Sequence, residues 1–264
     1  MKIAFIARPG RDTHDLLGRL VKRYGNVDAN DADVIVALGG DGFMLEILHH
    51  YIDHNIPVYG INCGTIGFLM NATSIDHLHD RLESAETAEL HPLVMLATTK
   101  DGSVHKAYAI NEVALLRERH SAAKIKICID HIVRMETLTC DGVMVATPAG
   151  STAYNFSAMG PILPLNSQLL TLTPISPFRP RGWRGALISH HSNVEFYNND
   201  PDSRPLSATA DFTEIRHITH VKVFEDRKKS VKLLFDKGRH LNERILAEQF
   251  FNEPSPPIET NLCK

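Results

Sequence analysis

The sequence predicts an α/β unit built on a parallel, Rossmann-like sheet, followed by a β-rich unit. Three observations support this. Apolar runs of strand length alternate with helix-spaced stripes through the first third of the 264 residues, as in βαβ units. After about Leu93 the apolar period drops to two, the signature of strands with one covered face. A stretch rich in glycine and proline, Pro148 to Arg184, divides the second part.

Lys2 to Ala7 reads as the first strand, with Arg8-Pro9-Gly10 as its exit loop. Leu16, Leu17, Leu20, Val21 and Tyr24 then recur at helical spacing, with Asp12 or Thr13 as the expected cap. Asp33 to Leu38 is continuously apolar after its first residue, as a strand covered on both faces would be. Phe43, Ile47 and Tyr51 form one helical stripe with Met44 and Leu48 beside it. Ile56 to Ile61 is the next strand, and Ser74 is expected to cap a helix carrying Ile75, Leu78 and Leu82.

In the second part, the segment from Leu93 to Leu116 predicts two strands around a Lys100-Asp101-Gly102 turn. Ile125, Ile127 and Ile129 alternate with polar neighbours; so do Val221 and Val223, then Val231, Leu233 and Phe235. From about Arg239 the pattern returns to helical (Leu241, Ile245, Leu246), and the last residues have the composition of a disordered tail. The expected units are therefore 1–92, 93–236, a helical segment at about 237–252, and a tail at 253–264.

Bulk properties narrow the function. A net charge of −3 gives no electrostatic case for a nucleic-acid partner. No apolar run is long enough to span a bilayer. Cys63, Cys128, Cys140 and Cys263 are scattered without CxxC pairing, which predicts a reduced, cytoplasmic setting. His49, His50, His54, His77 and His79 lack metal-ligand spacing and are expected on helix surfaces, with no protein-held metal. Ser151 has no GxSxG elbow around it and is not expected to act as a nucleophile.

Four segments carry chemistry. Gly39-Gly40-Asp41-Gly42 lies at a strand-to-helix junction, where backbone N–H groups and the helix start favour an anion such as a phosphate chain. Asp41 would repel phosphates and makes more sense facing a hydroxyl or a magnesium ion. The other reading, a helix N-cap, has equal weight on these four residues. Gly60 to Leu69 is a second glycine-spaced turn ending at Phe68 and Leu69. Asn111-Glu112 sits in strand-like sequence although an adjacent amide and carboxylate are poor sheet formers. Cys140 to Pro164 is dense in glycine and small hydroxyl residues around Tyr154.

Together these segments resemble the NAD kinase family, which makes NADP from NAD. The matching elements are GGDG at Gly39 to Gly42, GINxGxxGFL at Gly60 to Leu69, Asn111-Glu112, and DGxxxxTPxGSTAYxxSAxGPI from Asp141 to Ile162. The resemblance implies a Rossmann-like first domain, a β-sandwich second domain that binds NAD, and a C-terminal segment packing back on the first. It implies that Asp41 accepts the proton of the adenosine 2′-hydroxyl of NAD as that oxygen attacks the γ-phosphoryl group of ATP. An aspartate is a weak base at neutral pH, which a loose phosphoryl-transfer transition state tolerates.

By the same resemblance, Gly42 and Phe68 line the NAD site and Asn111 and Glu112 contact its ribose or phosphates. Asp141 binds the nicotinamide end. Thr152, Ala153, Tyr154 and Ser157 surround the adenine and its ribose. Ser176 and Phe178 align with NAD-contacting positions, and Asp211 with an aspartate near an adenosine. Magnesium or another divalent cation would accompany ATP, with polyphosphate a further possible donor, and the implied assembly is a homodimer or homotetramer.

The chain departs from the family pattern at Thr139 and Cys140, at Met159 and Phe212, which replace glycines, and in the short Thr173 to Gly185 segment. Arg179, Arg181 and Arg184 beside Trp183 suit either phosphate or subunit contacts, or a solvated loop. Two rival functions stay open: a diacylglycerol-type lipid kinase sharing GGDG, and a non-catalytic NAD/NADP sensor.

Overall fold

The computed structural model describes residues 1–64 and 67–238. The helical pattern at Leu241, Ile245 and Leu246 and the tail at 253–264 lie outside the described residues.

The first unit contains β1 (Ile3–Ala7), α1 (Arg11–Tyr24), β2 (Val34–Gly39), α2 (Asp41–His50), β3 (Val58–Asn62), α3 (Leu78–Glu83) and β4 (Glu86–Leu90). β2 explains its own sequence. Val34, Val36 and Leu38 enter one core with Leu20 of α1 and Leu78 and Leu82 of α3. Ile35 and Ala37 enter the other with Met44, Ile47 and Leu48 of α2. A strand feeding two cores has no face left for polar residues, hence the unbroken apolar run.

The second unit contains β5 (Leu93–Thr99), β6 (Val104–Ala109), β7 (Glu112–Arg117), β8 (Ala123–Ile129), β9 (Ile132–Cys140), β10 (Gly142–Ala146), a short helix α4 (Tyr154–Ser157), β11 (Leu169–Ile175), β12 (Ala186–Ser189), β13 (Val194–Asn198), β14 (Leu206–Ala210) and β15 (Thr213–Glu225). They form an antiparallel sheet in the order β12-β11-β10-β7-β14-β15-β13-β8-β9, with β5 joining through β15 and carrying β6. β15 pairs β14 over its first half and β5 and β13 over its second. The sheet thereby doubles over one core containing Val113, Leu115, Val143, Val145, Phe196, Val221 and Val223, a sandwich-like arrangement.

Several expectations need correction. The alternation at Val231, Leu233 and Phe235 forms β16 (Val231–Phe235), which lies in the first sheet, in the order β1-β2-β3-β16-β4. Residues 231–235 therefore return to the unit that the boundary at 93–236 excluded. That sheet is not wholly parallel either, because β4 runs antiparallel to β16. The cap of α1 is Gly10, not Asp12 or Thr13; the Thr13 hydroxyl instead donates to the carbonyls of Arg8 and Gly10 at 2.7 and 2.9 Å. Ser74 caps no helix: its hydroxyl accepts from Asp76 N–H, and α3 begins after His77. Asn111 is not inside a strand but at the break between β6 and β7, where Glu112 starts β7.

Candidate active site

β2 and β3 end side by side, with Gly39 opposite Asn62 and Cys63 N–H donating to the Gly39 carbonyl at 2.8 Å. Both glycine turns therefore leave the carboxyl edge of the parallel strands, where open α/β sheets bind ligands. Gly40 is the residue before α2 and Asp41 is its first residue, so Asp41 is not the N-cap. Its carboxylate reaches the second turn instead. Oδ2 accepts from Phe68 N–H at 2.7 Å and Oδ1 from Leu69 N–H at 3.0 Å. Phe68 is half-buried at this contact.

The glycines of the first turn divide by reason. A Cβ at Gly39 would strike Phe43 at 2.8 Å, whereas one at Gly40 or Gly42 meets nothing within 4 Å. Gly40 has an extended backbone and Gly42 lies within α2, so neither has a left-handed conformation to justify it. By helix propensity and unfolded-state entropy, alanine at Gly42 should stabilise the fold by roughly 0.4–1 kcal/mol, while at the N-cap Gly40 the entropy gain is offset by alanine's poorer capping. Room for a ligand approaching the backbone is the remaining reason. Gly40→Ala and Gly42→Ala are expected to raise or preserve the melting temperature while lowering the activity that the sequence resemblance implies, NADP formation, about tenfold or more. Thermal melts beside a coupled assay check this; undiminished activity in both variants would show that nothing approaches there.

The second cluster lies on the β-rich unit. Asp211, in the turn between β14 and β15, has a buried side chain that holds the Asn111–Glu112 segment by its main chain. Its carboxylate accepts from the N–H groups of Ile110, Asn111 and Glu112 at 2.7, 3.0 and 3.1 Å, and Asp211 N–H donates to the Glu112 carbonyl. The carbonyls of Ile110 and Asn111 are taken by the Thr147 hydroxyl and N–H at 2.7 and 2.9 Å. With its main chain held from both sides, the segment presents two side-chain acceptors, Asn111 Oδ1 and Glu112 Oε2. Both are buried and without a hydrogen-bond partner. Buried acceptors of this kind are costly unless a donor completes them, and a sugar hydroxyl is such a donor. The carboxylate of Asp211, the residue expected beside an adenosine, is engaged by these three amides and by His49.

Burial, and then the charge of Asp211, raises the Glu112 carboxyl from an ordinary 4.5 to about 8. As pH rises from 4.5 towards 8, an unfolded chain ionises this glutamate while the folded chain keeps it protonated. Stability is therefore highest below that window, falls across it, and levels off above about 8. Glu112→Gln is expected to flatten this fall, which amounts to a few kcal/mol. Melting temperatures from pH 5 to 9 check it, and an equally steep fall in the variant would rule out Glu112 as its source.

The loop from Pro148 to Gly160 packs against this segment, where a Cβ at Gly150 would lie 2.1 Å from the Asn111 carbonyl oxygen. Burial, with the charges of Glu112 and Asp141, holds the Tyr154 phenol above its usual range, where it remains a donor. Asn155 ties the loop from within: its amide NH2 donates to the carbonyls of Ser151 and Pro161, and its Oδ1 accepts from the hydroxyls of Thr171 and Thr173. The Thr152 hydroxyl donates to the Ala149 carbonyl at 3.2 Å, and Ala153 is half-buried beside it. Met159 adopts φ 64°, which explains why glycine suits that position.

A cavity of about 390 Å³ opens beside the loop, with Tyr154, Ser157, Met159, Ser176, Trp183 and Arg184 in its lining. Phe178 is not part of that lining; its exposed ring carries the guanidiniums of Arg179 and Arg181 at 4.8 and 5.9 Å. Asp141 is half-exposed and paired with Arg117 at 2.6 Å, a cation that the sequence reading did not single out. Cys140 is buried, which pushes its thiol up to about 12. His49, expected on a helix surface, contacts Asp211 at 2.7 Å. No helix among the described residues is long and apolar enough to cross a membrane.

Comparison with known proteins agrees along the chain. The model of the ATP-NAD kinase N-terminal domain matches residues 8–89, and that of the ATP-NAD kinase C-terminal domain matches residues 110–206. NAD kinases from Hyphomonas neptunium and Caulobacter vibrioides are 53% and 52% identical over 95% and 94% of this chain, and over 98% and 96% of their own. Two solved structures share the fold. Yeast NADH kinase complexed with NADH has a TM-score of 0.82 at 20% identity, covering 96% of this chain and 88% of its own. An NAD kinase from Archaeoglobus fulgidus in complex with ATP scores 0.75 at 24% identity, covering 94% and 98%. With both halves matched and half of all residues shared with bacterial relatives, the chain belongs to the NAD kinase family.

Proposed function

We propose that this chain is an NAD kinase that transfers the γ-phosphoryl group of ATP to the adenosine 2′-hydroxyl of NAD, giving NADP and ADP. The observation that carries the reading is Asp41 at the start of α2, flanked by Gly40 and Gly42, where an added Cβ meets nothing within 4 Å. The helix start and its amides suit a phosphate chain, and the carboxylate, which accepts from Phe68 and Leu69 N–H, is the acceptor type that a sugar hydroxyl donates to. In the reaction the 2′-oxygen bonds to the γ-phosphorus as the bond to the β–γ bridging oxygen breaks. The hydroxyl proton passes to Asp41.

The other roles follow this reading. Gly42 and Phe68 border the reacting ribose, while Asn111 and Glu112 accept from NAD hydroxyls. Thr152, Ala153, Tyr154 and Ser157 hold the adenosine, with Tyr154 supplying a stacking face. Asp141 and Ser176 serve the nicotinamide half. ATP enters with magnesium or another divalent cation, which neutralises phosphate charge. A cytoplasmic homodimer or homotetramer, joined through the β-rich unit, completes the proposal. The lipid-kinase and sensor readings are not supported by the relatives found.

Incubation with NAD, ATP and magnesium, followed by an NADP-specific dehydrogenase, tests the proposal. Steady NADP formation is expected. Tight NAD binding without NADP, whichever phosphoryl donor is supplied, would overturn it in favour of a sensor.

A further inference from the structure

We propose that His49 and Asp211 form a positioning pair that sets the Asn111–Glu112 acceptors relative to Asp41. The proposal rests on the kinase reading for its purpose and on geometry for its substance. α2 carries Asp41 at its first turn and His49 at its last, about 12 Å away at the ordinary helical rise. His49 Nε2 lies 2.7 Å from Asp211 Oδ2, the carboxylate accepting, and the two side chains are 16% and 1% exposed. The imidazole also packs against Phe212, with ring centroids 4.7 Å apart and planes tilted by 60°.

Asp211 passes this anchorage on. It lies in a left-handed backbone conformation, φ 49°, and its carboxylate receives three successive N–H groups. Those amides belong to the segment whose two side-chain acceptors lack partners. One helix thus fixes the acid at one end and, through His49 and Asp211, the NAD-facing acceptors at the other. The core reinforces the link, since Ile110 and Ala149 pack in one cluster with Met44, Ile47 and Leu48 of α2. Neither residue needs to touch a substrate; both act through the segment between β6 and β7.

The test uses the full chain with His49→Ala, His49→Gln and Asp211→Asn. In His49→Ala, amide hydrogen exchange at residues 110–112 is expected to accelerate. KM for NAD should rise about tenfold, with KM for ATP within about twofold of its starting value, because a misplaced acceptor segment weakens NAD first. His49→Gln keeps a donor at the Nε2 position and should recover most of the loss. Asp211→Asn replaces one carboxylate oxygen with an amide donor and should show the larger effect. Unchanged exchange at 110–112 in both His49→Ala and Asp211→Asn would overturn the positioning role, as would an unaltered KM for NAD. If the wild-type chain forms no NADP, the kinase reading fails instead, and hydrogen exchange still decides whether the pair holds the segment.

Discussion

Asp41→Asn is expected to reduce NADP formation by a factor of about 10²–10⁴, the usual contribution of a positioned proton acceptor. The substitution removes two things at once. The carboxylate takes one amide on each oxygen, from Phe68 and Leu69; asparagine offers one oxygen and turns an NH2 towards the other amide. A buried N–H left facing another donor costs about 1–3 kcal/mol, so the second glycine turn should loosen along with the loss of the base. Calorimetric NAD binding separates the two effects. A base-only role leaves the dissociation constant nearly unchanged while turnover collapses; a role confined to the clamp weakens binding and spares kcat at saturating NAD. Asp41→Glu, which keeps both oxygens on a longer arm, should restore the clamp better than the chemistry. Turnover within about threefold of wild type in Asp41→Asn would remove the residue from proton transfer.

What the sequence made legible follows from which forces act locally. β2 was readable because both faces are buried and every side chain reports it. β4 was not, because Glu86–Leu90 lies at the sheet edge with charged, mostly exposed side chains, as edge strands often do. β11 was hidden for a different reason. Thr171, Thr173 and Pro174 sit in its buried stretch, and the two hydroxyls are satisfied by Asn155, so polarity there does not mean exposure. β16 shows the limit of periodicity: alternation at Val231, Leu233 and Phe235 announces a strand but not the sheet it joins.

The site divides in the same way. Motifs single out Asp41, Asn111, Glu112 and the loop at Tyr154, by resemblance more than by local chemistry. The main-chain contacts of Asp211 are invisible in the sequence, because three amides a hundred residues away leave no mark on composition. His49 was misread as a helix-surface histidine for the same reason; its partner is 162 positions distant. Main-chain recognition across long separations is where sequence reading runs out here.

Gly150→Ala should produce the opposite signature to the Gly40 and Gly42 substitutions, and a larger one. A Cβ at Gly150 would lie 2.1 Å from the Asn111 carbonyl oxygen, 2.4 Å from its carbon and 2.7 Å from Asn111 Cα. Those atoms are backbone, and they are tethered: Thr147 N–H holds that carbonyl, Asp211 holds the Asn111 N–H, and Gly150 N–H itself donates to the Thr147 hydroxyl at 3.1 Å. No rotamer change relieves such an overlap, so either the loop or the Asn111–Glu112 segment must move by about 1 Å. Overpacking against tethered backbone should cost on the order of 3 kcal/mol, lowering the melting temperature by roughly 6–12 °C for a chain of this size. If the acceptors of Asn111 and Glu112 serve NAD as proposed, a displacement of that size should lower kcat/KM about a hundredfold in the molecules that remain folded. Melting and kinetics measured on one preparation check both effects. If Gly150→Ala melts normally and works normally, the close contact that fixes the acceptor segment does not exist in solution. If it melts normally but loses activity, the loop has yielded instead of the fold, and the acceptors have moved with it.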